Sequence, residues 1–253
     1  MVVISIAKNT FKETSRNKIS LVLLGLSVAA ILLTKAVAYV SPETEQKMVI
    51  DFGIFAITFF GVIMAIFNGS NLIYKELDKR TIYTVISKPI DRYQFVLGKF
   101  FGLFFSICIN LSFLVITFTI YCLIIQIPLS LSFFWAIVFI FLQICMIISV
   151  SMVFSLVSTP LLSATFSLMF YILGYWLEGL KELLILIENP IGKKISEIIY
   201  NIMPKLFYLD YKYQASHGLP IPTTDLIYVG LYGIVYICLF LFLASILLSR
   251  KEL

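Results

Sequence analysis

The sequence predicts an all-α polytopic membrane protein with six transmembrane helices and both termini in the cytoplasm. Three observations predict it. First, 60% of the 253 residues are hydrophobic and only 13% are charged, about half the ~25% charge of a soluble domain. Second, the apolar residues gather in six continuous stretches, 19–40, 52–74, 100–126, 133–157, 161–177 and 226–248. Third, Lys and Arg fall unevenly on alternate connections. A chain so poor in charge cannot coat a water-soluble globule, which excludes an ordinary soluble enzyme, a disordered chain, a disulfide scaffold and a nucleic-acid binder. Barrel strands are excluded because the runs are continuous, not alternating.

The first element is residues 1–18. Ile4, Ala7 and Phe11 recur at helical spacing, with Lys8, Lys12, Glu13 and Arg16 on the other side. That pattern predicts an amphipathic helix lying in the headgroup plane. The span at 19–40 follows. Ala36-Val37-Ala38 imitates a signal-peptide cleavage site, but the apolar run is long and Lys35 intrudes just before it, so the segment is expected to stay as a span. A span needs about 20 apolar residues. Five stretches meet that length easily, and the one at 161–177, which starts after Ser158-Thr159-Pro160, is at the short end.

Orientation follows from the cations. Lys8, Lys12, Arg16 and Lys18 precede the first span. Lys75, Lys79, Arg80, Lys88, Arg92 and Lys99 lie between the second and third, and Arg250 and Lys251 follow the last. The alternate connections hold only seven of the 19 cations but nine of the 14 acids. The cation-rich side is the cytoplasmic one. The net charge of +5 is therefore a topology signal and implies no nucleic-acid partner. The expected location is the cytoplasmic (inner) membrane.

Within the spans there is almost nothing ionisable. Lys35 sits near an end, where it can snorkel. Proton relays, ion-coupled carriers and voltage sensors need intramembrane acids or bases, and an intramembrane hydrolase needs a nucleophile with a partner. No catalytic residues and no metal ligands are assigned. Cys108, Cys122, Cys145 and Cys238 all fall inside spans without a Cys-x-x-Cys pair, as helix-packing residues do. Two Gly-Lys pairs exist, but Tyr93 and Ile187 occupy the first-glycine positions, and Phe100 and Lys194 follow the lysines. Neither is a phosphate-binding loop. If the chain moves something, a separate subunit energises it.

The neutral polar groups at depth are Asn110 and Gln143, with Asn68 and Asn71 near the end of the second span. They read either as interhelical hydrogen bonds, the commoner use, or as the lining of a translocation path. Ser151, Ser155 and Ser158 make a similar stripe. Gly61, Ala65 and Gly69, and again Gly98 and Gly102, recur every four residues and predict close helix contacts within the bundle.

Segment 75–99 is dense in charge yet carries Ile82, Val85 and Ile86 at helical spacing. A short amphipathic helix is expected there, ended by Pro89. Asp91 with Gln94 reads as a capping box opening the next helix. Such a helix–break–helix can transmit a push from a cytoplasmic partner; the plainer reading is an ordinary interfacial loop that obeys the positive-inside rule. Outside, segment 178–225 is too short for a substantial independent domain. Ile191, Ile195, Ile198, Ile199 and Ile202 predict an amphipathic helix on the outer leaflet, and the aromatic stretch 205–212 an interfacial belt. Residues 1–253 are read as one membrane domain.

At this point the sequence resembles a family. Arg80-Thr81-Ile82-Tyr83, Ser87-Lys88-Pro89, Asp91-Arg92 and Leu97-Gly98-Lys99 look like the cytoplasmic loop of ABC-2 type exporter permeases. The stretch 217–222, the last span and the basic end Arg250-Lys251-Glu252-Leu253 resemble them too, nearest to the branch grouped with multicopper-enzyme maturation permeases. The resemblance implies the membrane subunit of an ABC exporter, paired with a second permease copy as homo- or heterodimer and with two copies of an ATP-binding subunit. ATP and Mg would be held by that subunit, with no cofactor on this chain. It implies coupling through Glu76, Arg80, Thr81, Ile82, Tyr83, Pro89 and Arg92, and an outer gate between the last two spans. The other reading is a non-transport scaffold or assembly factor that recruits a cytoplasmic partner.

Overall fold

The computed structural model of the chain describes residues 2–38, 45–72, 91–184, 194, 200 and 203–250. Among them the secondary structure is entirely helical: α1 (Val2–Ser15), α2 (Lys18–Ala38), α3 (Glu45–Leu72), α4 (Arg92–Ile124), α5 (Leu131–Val157), α6 (Pro160–Leu184), a 3₁₀ turn (Leu206–Leu209), α7 (Lys212–His217) and α8 (Thr223–Arg250). Six of these, α2 to α6 and α8, are long and apolar enough to cross a membrane. The chain is an integral membrane protein.

The spans are longer than the apolar stretches suggest. α3 starts at Glu45 and α4 at Arg92, seven and eight residues before the predicted limits. Hydrocarbon thickness selects the apolar residues, but backbone hydrogen bonding carries a helix on through polar turns outside it. At 33 residues α4 is about 50 Å long, some 20 Å more than the hydrocarbon needs. Asp91 does precede this helix, as predicted, but the capping box does not form. The Asp91 side chain caps no backbone amide and instead accepts Gln94 Nε2 at 3.3 Å.

α5 is the centre of the bundle and is buried along most of its length. α3 packs beside it, and α2, α6 and α8 present most of their apolar residues outward. The predicted glycine stripe explains how α3 comes so close. A Cβ at Gly61 would stand 2.7 Å from Ile144 and 2.8 Å from Leu111, and one at Gly69 would stand 2.7 Å from Ser151.

Gly98 and Gly102 also serve close contact, and their partner is α1. A Cβ at Gly98 would stand 2.7 Å from Ile6 Cβ, and one at Gly102 2.5 Å from Thr10 Cβ and 2.6 Å from the Ala7 carbonyl. Ser15 and Ser106 hydroxyls meet one turn later at 3.4 Å. These successive contacts run in the same direction on both helices, so α1 lies alongside the first half of α4. The expected apolar face is therefore corrected. Ile6, Thr10 and Thr14 pack against the bundle, while Ile4 is 72% exposed.

Two turns fix the connections. α4 ends in a Schellman motif, with Gln126 N bonded to Leu123 O at 3.2 Å and Ile127 N to Cys122 O at 2.9 Å. The motif's left-handed residue is Gln126, at φ 59°. Between α5 and α6 the chain turns in two residues, and Pro160 opens α6, where a missing amide costs nothing.

Candidate functional site

The chemistry-bearing residues fall into three levels. At the end of the bundle where α1 meets α2, the two helices are separated only by Arg16 and Asn17. Asn17 is the N-cap of α2, its Oδ1 accepting Ile19 N at 3.1 Å. Its Nδ2 donates to Asn68 Oδ1 on α3 at 2.9 Å. Asn68, 6% exposed, donates in turn to Ser20 Oγ at 2.9 Å and to Met64 O at 2.8 Å. It thus ties the elbow and α2 to α3, as interhelical hydrogen bonding requires. Asn71 donates to Phe67 O at 2.8 Å and lines a cavity of about 310 Å³ beside the elbow.

At the same end, Arg92 occupies the C-terminus of α8. Its Nη1 donates to the Leu248 carbonyl at 2.9 Å and also to the Ser249 carbonyl. The last carbonyls of a helix have no intrahelical partner and carry the negative end of its dipole, so a guanidinium satisfies both demands. This contact also brings the end of α8 to the same side of the bundle as α1. Lys99, counted in the sequence among loop cations, is instead inside α4 and 2% exposed, its ammonium 5.7 Å from the Phe95 ring centroid. Glu76, Arg80, Thr81, Ile82, Tyr83 and Pro89 lie outside the described residues, as does the helix expected around Ile82, Val85 and Ile86.

The middle level is neutral. Gln143 on α5, 1% exposed, donates to the Tyr175 hydroxyl on α6 at 2.7 Å. Nearer the elbow end, where α3 and α5 finish and α6 begins, Ser155 Oγ donates to Ser70 O at 2.9 Å and Ser163 Oγ to Ser151 O at 3.3 Å, so α3, α5 and α6 are joined by hydroxyls. Asn110 is half-buried on α4. Asn68 and Gln143 are thus engaged between helices, and Asn110 is not brought to either. Among the cysteines, Cys122 and Cys145 are buried and Cys238 is exposed, all as free thiols.

The third level is a plug at the opposite end, built by residues 203–222. The stretch 205–212 was expected as an interfacial aromatic belt; Tyr208 does stay 43% exposed, while other residues of the stretch turn into the bundle. Leu206 and Leu209 are fully buried and Tyr211 is 8% exposed. Leu206 fits against Gly174 of α6, where a Cβ would stand 2.7 Å away, and Leu209 lies 3.5 Å from the same construction at Gly233 of α8. The Lys205 amide donates to the Tyr232 hydroxyl at 2.6 Å. Lys212 pairs with Asp210 at 3.1 Å and stands 5.7 Å above the Tyr175 ring. Ser130 and Ser132, at the start of α5, donate to the carbonyls of Ala215 and Leu219. Burial raises the Tyr211 phenol above its usual range, with the Asp225 carboxylate adding to it, so the ring packs as a neutral group. An outer gate between the last two spans was expected from the resemblance, but how this segment packs was not legible, because its signal, a small residue at Gly174 opposite Leu206, pairs positions far apart in the chain. The helix expected at 191–202 lies mostly outside the described residues.

Residues 23–253 match a family described as ABC-2 family transporter protein. No curated protein matches the chain.

Proposed function

We propose that this chain, which belongs to the ABC-2 family of transporter proteins, is the membrane subunit of an ATP-driven exporter in the cytoplasmic (inner) membrane. It would form the translocation pathway with a second copy of itself or a related chain. Two copies of a separate ATP-binding subunit, carrying ATP and Mg, would dock on the segment between α3 and α4. Both termini and the α1 end face the cytoplasm in this reading, as the distribution of Lys and Arg favours.

The observation that carries the reading is Arg92. It closes the charged segment and holds the last carbonyls of α8. A displacement of that segment therefore acts on α4 and α8 together. The far part of α8 carries Gly233 and Tyr232, which meet Leu209 and Lys205 of the plug. A push at one end of the molecule thus has a continuous route through a stiff helix to the other. ATP binding in the partner would favour whichever arrangement its docked surface contacts better, which is a population shift by differential contact. The plug is the outer gate in this scheme. Neutral, aromatic-rich spans suit an amphiphilic cargo better than a small ion.

The test is Glu76→Ala and Arg80→Glu in the complex with its ATP-binding subunit, reconstituted in vesicles. ATP hydrolysis should persist while ATP-dependent transport falls at least tenfold. Full transport in both variants would overturn the coupling role. Co-purification with a partner that binds no nucleotide would favour the scaffold reading.

A further inference from the structure

We propose that the elbow cavity binds the phosphate of an anionic phospholipid from the leaflet in which it lies. The cavity, about 310 Å³, is bounded by Glu13, Arg16, Asn17, Lys18, Asn68 and Asn71, and is large enough for a small polar group. Its level in the membrane follows from α2. That helix has 21 residues from Lys18 to Ala38, about 31 Å, matching the ~30 Å of hydrocarbon with a lysine near each end. The cavity is at the Lys18 boundary, where headgroup phosphates lie.

Its electrostatics select a phosphate. Two cations and one carboxylate line it, a net charge of +1. Neither Arg16, Lys18 nor Glu13 has an ion pair or side-chain hydrogen bond among the described residues. The amide floor, by contrast, is fixed: Asn17 and Asn68 hold each other and the start of α2. A preorganised neutral floor with unpaired cations at the rim is suited to an anion, and a guanidinium is suited to bidentate phosphate contact. The surroundings select a lipid over a soluble phosphate. Ile19, Leu21 and Val22, immediately beyond the elbow, are 48–62% exposed on the outward face of α2, where acyl chains would lie. The same phosphate chemistry could come from a soluble glycerol phosphate, which the test separates.

The full chain is purified and presented with nanodiscs or mixed micelles containing phosphatidylglycerol or phosphatidylcholine, and bound lipid is read by native mass spectrometry. Wild type should retain phosphatidylglycerol in preference to phosphatidylcholine. Arg16→Gln and Lys18→Gln should each lower that retention about fivefold, while Lys35→Gln at the other end of α2 leaves it unchanged. Glu13→Gln should raise it, a gain that misfolding cannot produce. Equal retention of the two lipids, unchanged retention in both cation variants, or no gain in Glu13→Gln overturns the proposal. Displacement of the lipid by millimolar glycerol 3-phosphate would assign the site to a soluble phosphate and overturn the lipid assignment.

Discussion

At the residue scale, the positions that matter are those where one side chain or its absence decides a contact. Gln126 sits in the left-handed region that glycine usually fills at the end of a helix. An L-residue there costs about 1–2 kcal/mol, against roughly 0.4–1 kcal/mol of extra unfolded-chain entropy for glycine. Gln126→Gly should therefore raise stability by on the order of 0.5–1 kcal/mol, and a β-branched Gln126→Val should lower it by more. Thermal unfolding in detergent should rank glycine first, glutamine second and valine last. No sequence pattern pointed to this residue, because glutamine carries no turn signal. Asn68 and Gln143 were legible as polar groups at depth, but whether they faced a path or a neighbour depended on Ser20 and Tyr175, which sequence spacing could not bring to them. Lys99 was misplaced for a related reason: a charge at the edge of an apolar run reads as solvent-exposed until a neighbouring helix covers it.

At the element scale, α1 shows how an amphipathic pattern can be right in kind and wrong in direction. Its helical period was plain, yet the docking face follows Thr10 and Thr14, which no hydrophobicity count would choose. What draws them inward is the groove left by Gly98 and Gly102, where the α1 backbone approaches α4. Gly102→Leu should expel α1, because its side chain would occupy the space of the Ala7 carbonyl and Thr10. The check is a disulfide between Ser15→Cys and Ser106→Cys in a background lacking the four native cysteines. It should form readily when Gly102 is present and be lost when leucine replaces it. Equal crosslinking in both would mean that α1 docks without the groove.

At the scale of the whole molecule, the described bundle is held by a central pair, α3 and α5, and fastened at both ends of α8. Arg92 fastens one end and the plug the other. Leu209→Ala should cost about 2–5 kcal/mol through the cavity it leaves. The measurement is apparent melting in detergent, with circular dichroism showing helix content retained before the transition; a change within error would mean that the plug is loosely seated. The class of this protein, its number of spans and the family expectation attached to the segment around Arg92 were all legible in local sequence. Those follow from composition, length and local charge, which the bilayer reads directly: hydrocarbon tolerates few charges and sets how many apolar residues a span requires. Long-range packing, by contrast, sets α1 along α4, brings Leu206 and Leu209 into the bundle and seats Arg92 on the end of α8. Each of these depends on two segments distant in the chain meeting at a small residue or an unsatisfied carbonyl, and local pattern cannot encode which partner fills that space.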